Sequence, residues 1–490
     1  MRKSGILMPV FSLPSPYGIG CFSEEAYRFV DFLEKAGQKL WQILPLGPTS
    51  YGDSPYQSFS TFAGNPYFID MAELVKRGWM TKKELDKYDF GDTERYIDYE
   101  KMYINRMHAL KKAFSKSHIE TDQSFQQFRV ENSDWLPDYA LFMAVKDVFG
   151  GASWDKWEED IRLRKEEALE KYRRSYGEEI QFYEFCQYLF AGQWKKLKSY
   201  ANSRDIEIVG DIPIYVAFDS ADVWACPELF QLDERMIPTA VAGCPPDAFS
   251  ATGQLWGNPL YSWNYHKETG YAWWMRRFSH SFALYDVVRV DHFRAFDEYY
   301  AIPYGDKTAE YGSWEEGPGL DLFRVLKETL GEKQVIAEDL GFLTPSVLRL
   351  VEDTGFPGMK VLHFAFNAEG DSEYLPHNYK KNCVVYTGTH DNDTTVSWYR
   401  TMSREDKEFT RNYLNIRNAR NINWVLIRAA LSSVADTAVI QMQDYLGLGN
   451  EARINMPSTL GDNWKWRMYK EEASDELAEK IRKMTRLYGR

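Results

Sequence analysis

The chain has 490 residues, of which 44% are hydrophobic and 27% charged, as expected for a protein with a large buried core. Its net charge is −13, from 59 basic and 72 acidic residues, which argues against a nucleic acid or an anionic membrane as the main partner. The five cysteines form no Cys-x-x-Cys pair, which argues against a disulfide framework or a zinc site and favours the cytoplasm. No run of about 18 apolar residues predicts a membrane span.

Eight short apolar runs bounded by turn residues are typical of parallel strands that are buried on both faces. They lie at 5–11, 40–46, 206–216, 287–293, 334–341, 359–366, 383–391 and 438–447. Helical patterns separate them. After the fifth run, for example, Thr344 is a candidate N-cap, Pro345 stands at the first helical position, and Gly355 ends the pattern. Strands that alternate with helices in this way predict an α/β fold, the (β/α)8 TIM barrel.

Two connections are too long to be simple loops, and we interpret them as large insertions after strands 2 and 3 of one catalytic domain spanning 1–490. The first connection is charged and rich in helical patterns, which predicts a mostly helical subdomain at about 70–200. The second insertion, at about 217–286, contains a segment at 243–261 that we expect to be a flexible loop covering the substrate.

Acidic residues stand at the ends of several predicted strands. They are Asp211, Asp291, Glu338, Asp339, Asp391 and Asp444. Because the active site of a TIM barrel lies at the C-terminal ends of its strands, these side chains are expected to converge there. The alternative is that these acids only form salt bridges and helix caps at the rim of the barrel. For one acidic residue considered alone, this alternative would be the better interpretation.

Converging carboxylates without paired histidines fit glycoside chemistry and call for no metal or cofactor. In that chemistry one carboxylic acid protonates the leaving oxygen, and a second carboxylate attacks the anomeric carbon. Arg289 stands two residues before Asp291, so both side chains face the barrel interior, where a fixed cation would keep Asp291 ionised. We expect a raised pKa for Glu338, caused by the neighbouring charges of Asp291 and Asp391.

Four ordered motifs at the predicted strand ends resemble those of the α-amylase superfamily. They are GDIPIYV (210–216), RVDHFRAF (289–296), IAEDLG (336–341) and TGTHDN (387–392). Three further stretches, at 47–67, 243–261 and 455–467, resemble the 4-α-glucanotransferase branch of that superfamily, the amylomaltases or disproportionating enzymes of glycoside hydrolase family 77. The resemblance extends from residue 5 to residue 467.

This resemblance implies a role for each matching position. It makes Asp291 the nucleophile, Glu338 the general acid/base and Asp391 the stabiliser of the transition state. It also implies a set of residues that bind glucan or support the nucleophile: Tyr51, Asp211, Gln254, Trp256, Arg289, His292, His390 and Asn463. The implied substrates are maltooligosaccharides, amylose and other α-1,4-glucans.

Three activities remain open for this set of residues. A retaining transferase and a retaining hydrolase share the same carboxylates, and they differ in whether sugar or water accepts the glucosyl group. Trp256, in the segment 243–261, would favour transfer by covering the site and excluding water. A non-catalytic glucan-binding protein is the third possibility, but it has no need of the acids at 291, 338 and 391.

Overall fold

The computed structural model describes residues 2–49, 52–246, 250–341 and 343–490. Within these ranges the strands form one eight-stranded and one four-stranded sheet. The strands are β1 (Lys3–Leu7), β2 (Leu40–Gln42), β3 (Glu207–Ile212), β4 (Ala240–Cys244), β5 (Gln254–Pro259), β6 (Val287–Val290), β7 (Glu298–Pro303), β8 (Ser313–Glu316), β9 (Val335–Ala337), β10 (Gly358–Val361), β11 (Cys383–Tyr386) and β12 (Thr437–Gln441).

The eight-stranded sheet is parallel and almost closes into a ring, in the order β10-β11-β12-β1-β2-β3-β6-β9. Between β9 and β10, the backbone N–H of Ala337 donates to the carbonyl oxygen of Pro357 (3.0 Å), and that of Met359 donates to Oδ1 of Asp339 (2.6 Å). Each of these strands overlaps one of the eight apolar runs, in chain order. The prediction of a (β/α)8 barrel is therefore confirmed.

Helices cover the outside of the barrel. In the described part of the chain the α-helices are Glu24–Lys35, Met71–Lys76, Lys82–Leu85, Tyr99–Lys101, Met107–Ser117, Gln123–Glu131, Leu136–Val148, Glu159–Arg162, Glu166–Ser175, Gly177–Asn202, Ala221–Ala225, Trp263–Glu268, Ala272–Leu284, Leu320–Leu330, Pro345–Thr354, Thr395–Thr401, Arg404–Tyr413, Ile422–Ser432, Met442–Leu446 and Asp475–Leu487. Thr344 caps Pro345–Thr354 as expected, and Gly355 ends that helix with φ 71°. Among the described residues, no helix is long and apolar enough to cross a membrane.

The segment between β2 and β3 is mostly helical. Its last helix, Gly177–Asn202, packs against the barrel itself. The Trp194 ring lies 5.2 Å from that of Phe22, and its Nε1 donates to the carbonyl oxygen of Leu284 (3.0 Å). This helix is therefore part of the ring around the barrel. The inserted, mostly helical subdomain at about 70–200 stays a proposal.

The four-stranded sheet is antiparallel, with the order β5-β4-β7-β8, and it is built by the segments on either side of β6. The expectation of a flexible loop throughout 243–261 is wrong for Gln254–Pro259, which form β5 and pair with β4. The glycines and the proline of this stretch suggest a loop, but pairing with a distant strand overrides that local preference. Residues 247–249 of this stretch lie outside the described residues.

Two layers of side chains fill the barrel. The lower layer is apolar and includes Leu7, Leu40, Val209, Val287, Ile336, Met359, Val384 and Val439. Asp211 lies two residues after Val209 on β3, and Arg289 lies two residues after Val287 on β6. Each polar residue is therefore on the same face of its strand as the apolar one. Glu338 likewise follows Ile336. The apolar layer therefore carries a polar one directly above it, at the mouth of the barrel.

Candidate active site

Arg289 lies between two carboxylates on neighbouring strands. Its Nη1 is 2.6 Å from Oδ2 of Asp211 and 3.0 Å from Oδ1 of Asp291. Register explains the first contact, because Asp211 and Arg289 are paired residues of β3 and β6. Burial opposes the charge of Arg289, but the two carboxylates outweigh it and raise the pKa well above the usual value. This guanidinium is a permanent cation under the site.

Asp291 follows the last residue of β6, where its backbone N–H still donates to the carbonyl oxygen of Ile212 (3.0 Å). Its side chain lies deep in the cleft yet remains 29% exposed, so a ligand can reach it. Burial raises the pKa of Asp291, and the adjacent Arg289 opposes that rise. His292 then turns the chain with a left-handed φ of 48°.

Glu338 follows β9, the neighbour of β6, and two backbone N–H groups hold its carboxyl group. His292 donates to Oε2 (2.7 Å) and Leu340 donates to Oε1 (2.9 Å). Burial raises the pKa of Glu338, against the opposing effects of Arg289 and of both N–H groups. The direction of this pKa shift agrees with the expectation from the sequence. Its main cause, however, is burial and not the charges of Asp291 and Asp391.

Asp391 lies in the loop after β11 and is 44% exposed. Asn455 donates from Nδ2 to its Oδ1 (2.6 Å), and Nε2 of His390 lies 3.3 Å from its Oδ2. Arg453 donates to the backbone carbonyl oxygen of Asp391 (2.7 Å). The segment 453–455 therefore sets the orientation of this carboxylate.

The histidines beside the carboxylates are neutral near pH 7. Burial and the cation of Arg294 lower the pKa of His292 to about 3. Burial also lowers the pKa of His390, although Asp391 acts in the opposite direction. The buried Nε2 of His292 has no hydrogen-bond partner within the described protein, so it is free to contact a ligand.

Two of the acids at strand ends have structural roles. Asp339 bonds the backbone of Met359 and so joins β9 to β10. Asp444 is fully buried in the helix Met442–Leu446, where it accepts hydrogen bonds from Thr387 Oγ1 (2.5 Å) and Thr395 N–H (2.7 Å). For these two residues the expectation of convergence on the cleft is wrong, because their oxygens are used to join loops and strands.

An aromatic stack forms one side of the cleft. The ring of Tyr56 lies 5.1 Å from that of His390 at an interplanar angle of 16°, and Trp464 is 6.0 Å from both. The hydroxyl group of Tyr56 donates to Oδ2 of Asp211 (2.8 Å). Sequence reasoning missed Tyr56, Trp464 and Asn455, although all three stand in the stretches 47–67 and 455–467 that carried the resemblance.

Trp256 packs on His292, the residue next to Asp291. Its ring meets that of His292 edge to face at 4.8 Å, and its Nε1 donates to Oε1 of Gln254 (3.1 Å). Between the pairs Val241–Pro259 and Gly243–Leu255, β5 advances by four residues while β4 advances by two. This bulge contains Trp256, and such a bulge re-aims a side chain.

Asn463, also implied by the resemblance, makes its hydrogen bonds within its own loop. Asn463 closes the loop 456–463, because its Oδ1 accepts from Met456 N–H (2.9 Å) and its Nδ2 donates to Thr459 O (2.9 Å). Tyr51 lies outside the described residues. The structure therefore brings together Asp211, Arg289, Asp291, His292, Glu338, His390 and Asp391, with Trp256 and Gln254 beside them.

A family model described as 4-alpha-glucanotransferase matches residues 8–472. The chain belongs to the 4-alpha-glucanotransferase family. The 4-alpha-glucanotransferase of Clostridium butyricum is 52% identical over 485 residues, which cover 99% of this chain and 100% of that protein. The 4-alpha-glucanotransferase of Thermus thermophilus is 47% identical, with 99% and 98% covered. Membership in the 4-alpha-glucanotransferase family makes this protein a transferase.

A solved structure leads to the same family. The chain superposes on an amylomaltase from Streptococcus agalactiae in complex with acarbose with a TM-score of 0.97, at 42% identity, with 100% of both chains covered. An amylomaltase from Corynebacterium glutamicum shares the fold at 17% identity, with a TM-score of 0.81 and with 99% of this chain and 75% of that chain covered.

Proposed function

We propose that this enzyme transfers α-1,4-glucan segments between maltooligosaccharides or amylose by retaining double displacement. Asp291 is the nucleophile, Glu338 the general acid/base and Asp391 the residue that stabilises the transition state. The observation that carries the proposal is that the carboxyl groups directly after β6 and β9 have different partners. Arg289 contacts Asp291, whereas the bonds to the carboxyl group of Glu338 from the described residues come from two backbone N–H groups.

The first displacement needs an ionised Asp291 and a protonated Glu338. Arg289, at 3.0 Å, stabilises the negative charge of Asp291, and burial favours the protonated form of Glu338. Asp291 attacks the anomeric carbon, and the proton of Glu338 moves to the departing glycosidic oxygen. The shortened glucan then leaves with a free 4-hydroxyl group, and the transferred segment stays as an ester on Asp291.

The second displacement reverses these steps with a new acceptor. The Glu338 carboxylate removes the proton from the 4-hydroxyl group of an incoming glucan, whose oxygen attacks the same carbon and releases Asp291. Asp391 contributes negative charge near the oxocarbenium-like transition state, in the orientation set by Asn455. Tyr56, which stacks on His390, and Trp256, which packs on His292, supply aromatic rings beside the carboxylates.

Transfer rather than hydrolysis requires that sugar, and not water, reaches the ester. Trp256 supports this, because its half-buried ring packs on His292, the residue next to the nucleophile. A ring in that position removes space for water beside the anomeric carbon. Tyr51, Gln254 and Asn463 are proposed to contact glucan, as the resemblance implies.

Incubation with maltotriose tests the proposed transfer. The expected products are glucose and a ladder of longer maltooligosaccharides, with little net increase in reducing ends. A steady increase in reducing ends, with no product longer than maltotriose, would show that the protein is a hydrolase. We also propose a cytoplasmic location, which is supported by the lack of any disulfide among the five cysteines.

A further inference from the structure

One hydrogen-bonded pair joins the segment that contains Tyr56 to the strand that contains Trp256, outside the group of carboxylates. Gln57 donates from Nε2 to Oδ1 of Asn258 (3.0 Å), and Asn258 donates from Nδ2 to the backbone carbonyl oxygen of Val216 (2.9 Å). The side chain of Asn258 is buried, and the residue is 4% exposed. Both polar atoms of that amide group are therefore satisfied, one by each neighbour.

Each member of the pair stands close to a residue of the active site. Gln57 follows Tyr56, which bonds Asp211 and stacks on His390. Asn258 lies on β5, two residues after Trp256, whose ring packs on His292. The Gln57–Asn258 hydrogen bond is thus a direct side-chain connection between the segment that carries Tyr56 and the strand that carries Trp256.

Besides the bonds of Asn258, the strand that carries Trp256 is held by its ladder with β4 and by the contact of the Trp256 ring with that of Tyr215 (6.2 Å). β5 is an edge strand, because β4 is its sole neighbour in the described sheet. Its ladder with β4 is interrupted by the bulge at Trp256, where Gly257 has a φ of 78°. Asn258 is the first buried residue after this bulge, and its bond to Val216 attaches β5 to the segment that follows β3.

We infer that Gln57 and Asn258 are positioning residues that hold Trp256 against the site. Through Trp256 they set how often the glucosyl ester reacts with water instead of with a sugar acceptor. The inference rests on the proposed water-excluding role of Trp256. If Gln57 loses its donor, Oδ1 of Asn258 becomes a buried acceptor without a partner. The strand then gains freedom to move outward, and water reaches the ester more often.

The variant Gln57→Met tests the pair, because methionine is similar in length to glutamine and has no N–H donor. The measured quantity is the ratio of hydrolysis to transfer with maltotriose, from reducing ends and chain-length products. We expect this ratio to rise roughly three- to tenfold, the range that follows from the loss of one buried hydrogen bond. A merely structural role would lower the amount of active enzyme and leave the ratio unchanged.

Two further variants complete the experiment. Gln127→Met, on the exposed face of the helix Gln123–Glu131, is the matched control and should leave the ratio unchanged. Asn258→Ala should raise the ratio, and Gln57→Met should add nothing in that background, because the same hydrogen bond is already lost. Additive effects of the two substitutions would show that the residues do not act as a pair.

Comparison with Trp256→Ala distinguishes this inference from the proposed function. If Trp256→Ala leaves the ratio unchanged, the water-excluding role of that ring is wrong, and the inference falls with it. If Trp256→Ala raises the ratio and a folded Gln57→Met does not, only the positioning pair is refuted. An increase in both variants, without further increase in their combination, supports both statements.

Discussion

The floor and the wall of the active site are built in different ways. The floor consists of Asp211, Arg289, Asp291 and Glu338, at the ends of three adjacent parallel strands. The wall consists of the described residues around Tyr56, Trp256 and Asn455, which come from distant parts of the chain. Strand register places the floor residues, whereas individual side-chain contacts place the wall residues. The floor can therefore supply the chemistry, and the wall can decide what accepts the product.

The floor and the wall also differ in how deeply their side chains are buried. Arg289 and Asp211 are nearly inaccessible, with side-chain exposures of 4% and 0%, and each is bonded within the barrel. Trp256 is half-buried on a bulged edge strand. A change in the floor should therefore abolish turnover, whereas a change in the wall should redirect it.

The largest expected effect is that of Asp291→Asn. The amide group cannot form the covalent ester, so transfer from maltotriose should fall by several orders of magnitude while the fold persists. Initial rates and circular dichroism of the same sample measure the two quantities. Asp339→Asn is the control, because Asp339 also ends a strand but bonds the backbone of Met359. Equal losses of activity in the two variants would show that Asp291 has no special role compared with Asp339. If Asp291→Asn keeps more than about a tenth of the wild-type rate, another residue must be the nucleophile.

Glu338→Gln should be the next most damaging substitution, but its effect should depend on the leaving group. Transfer from maltotriose should drop by roughly 10²- to 10⁴-fold, because the departing oxygen receives no proton. An α-glucosyl fluoride needs no such proton, so it should still glucosylate Asp291, and the ester should accumulate because its removal lacks a base. Mass spectrometry should then find one added glucosyl group on the peptide that contains Asp291. Normal turnover of maltotriose, or a label on another peptide, would contradict these roles.

The floor was predictable from the sequence, because its residues continue the patterns of the strands. Arg289 and Asp291 are two positions apart on a run whose residues Val287, Val288 and Val290 are apolar, so a shared face followed directly. The lengths of the strands were less predictable. The run at 206–216 stays apolar beyond Ile212, but β3 ends at Ile212. The strand ends there because Pro213 has no N–H to continue the ladder.

The wall was predictable only through the resemblance to a family, and then only in part. Tyr56 lies in a loop, where no periodicity indicates which side chain points into the cleft. β5 depends on pairing with β4, and Asn455 depends on contact with a carboxylate 64 positions away. Asp444 was wrongly expected to face the cleft. Nothing in the local sequence reveals that its oxygens accept hydrogen bonds from Thr387 and Thr395.

Trp256→Ala tests the wall without changing the floor. We expect the ratio of hydrolysis to transfer from maltotriose to rise several-fold, because water enters the space that the ring leaves. The rate of ester formation should change less than this ratio, since Asp291 and Glu338 keep their contacts. Trp424→Ala is a matched control, because Trp424 is also half-buried but lies on the helix Ile422–Ser432. A general loss of activity with an unchanged ratio would assign Trp256 to the stability of the sheet.

The smallest expected effect is on stability, and its sign follows from the pKa of Glu338. Burial raises this pKa in the folded protein above the value of about 4.3 in an unfolded chain. Below that unfolded value, both states carry the proton and burial of a charge costs nothing. As the pH rises through the folded pKa, the folded state must hold a buried carboxylate, and stability is lost. Glu338→Gln should therefore raise the melting temperature by about 1–2 °C at pH 7 and by less at pH 4. Glu316→Gln, at an exposed position on β8, should shift it equally at the two pH values. A gain for Glu338→Gln that is larger at pH 4 than at pH 7 would contradict a raised pKa at the floor.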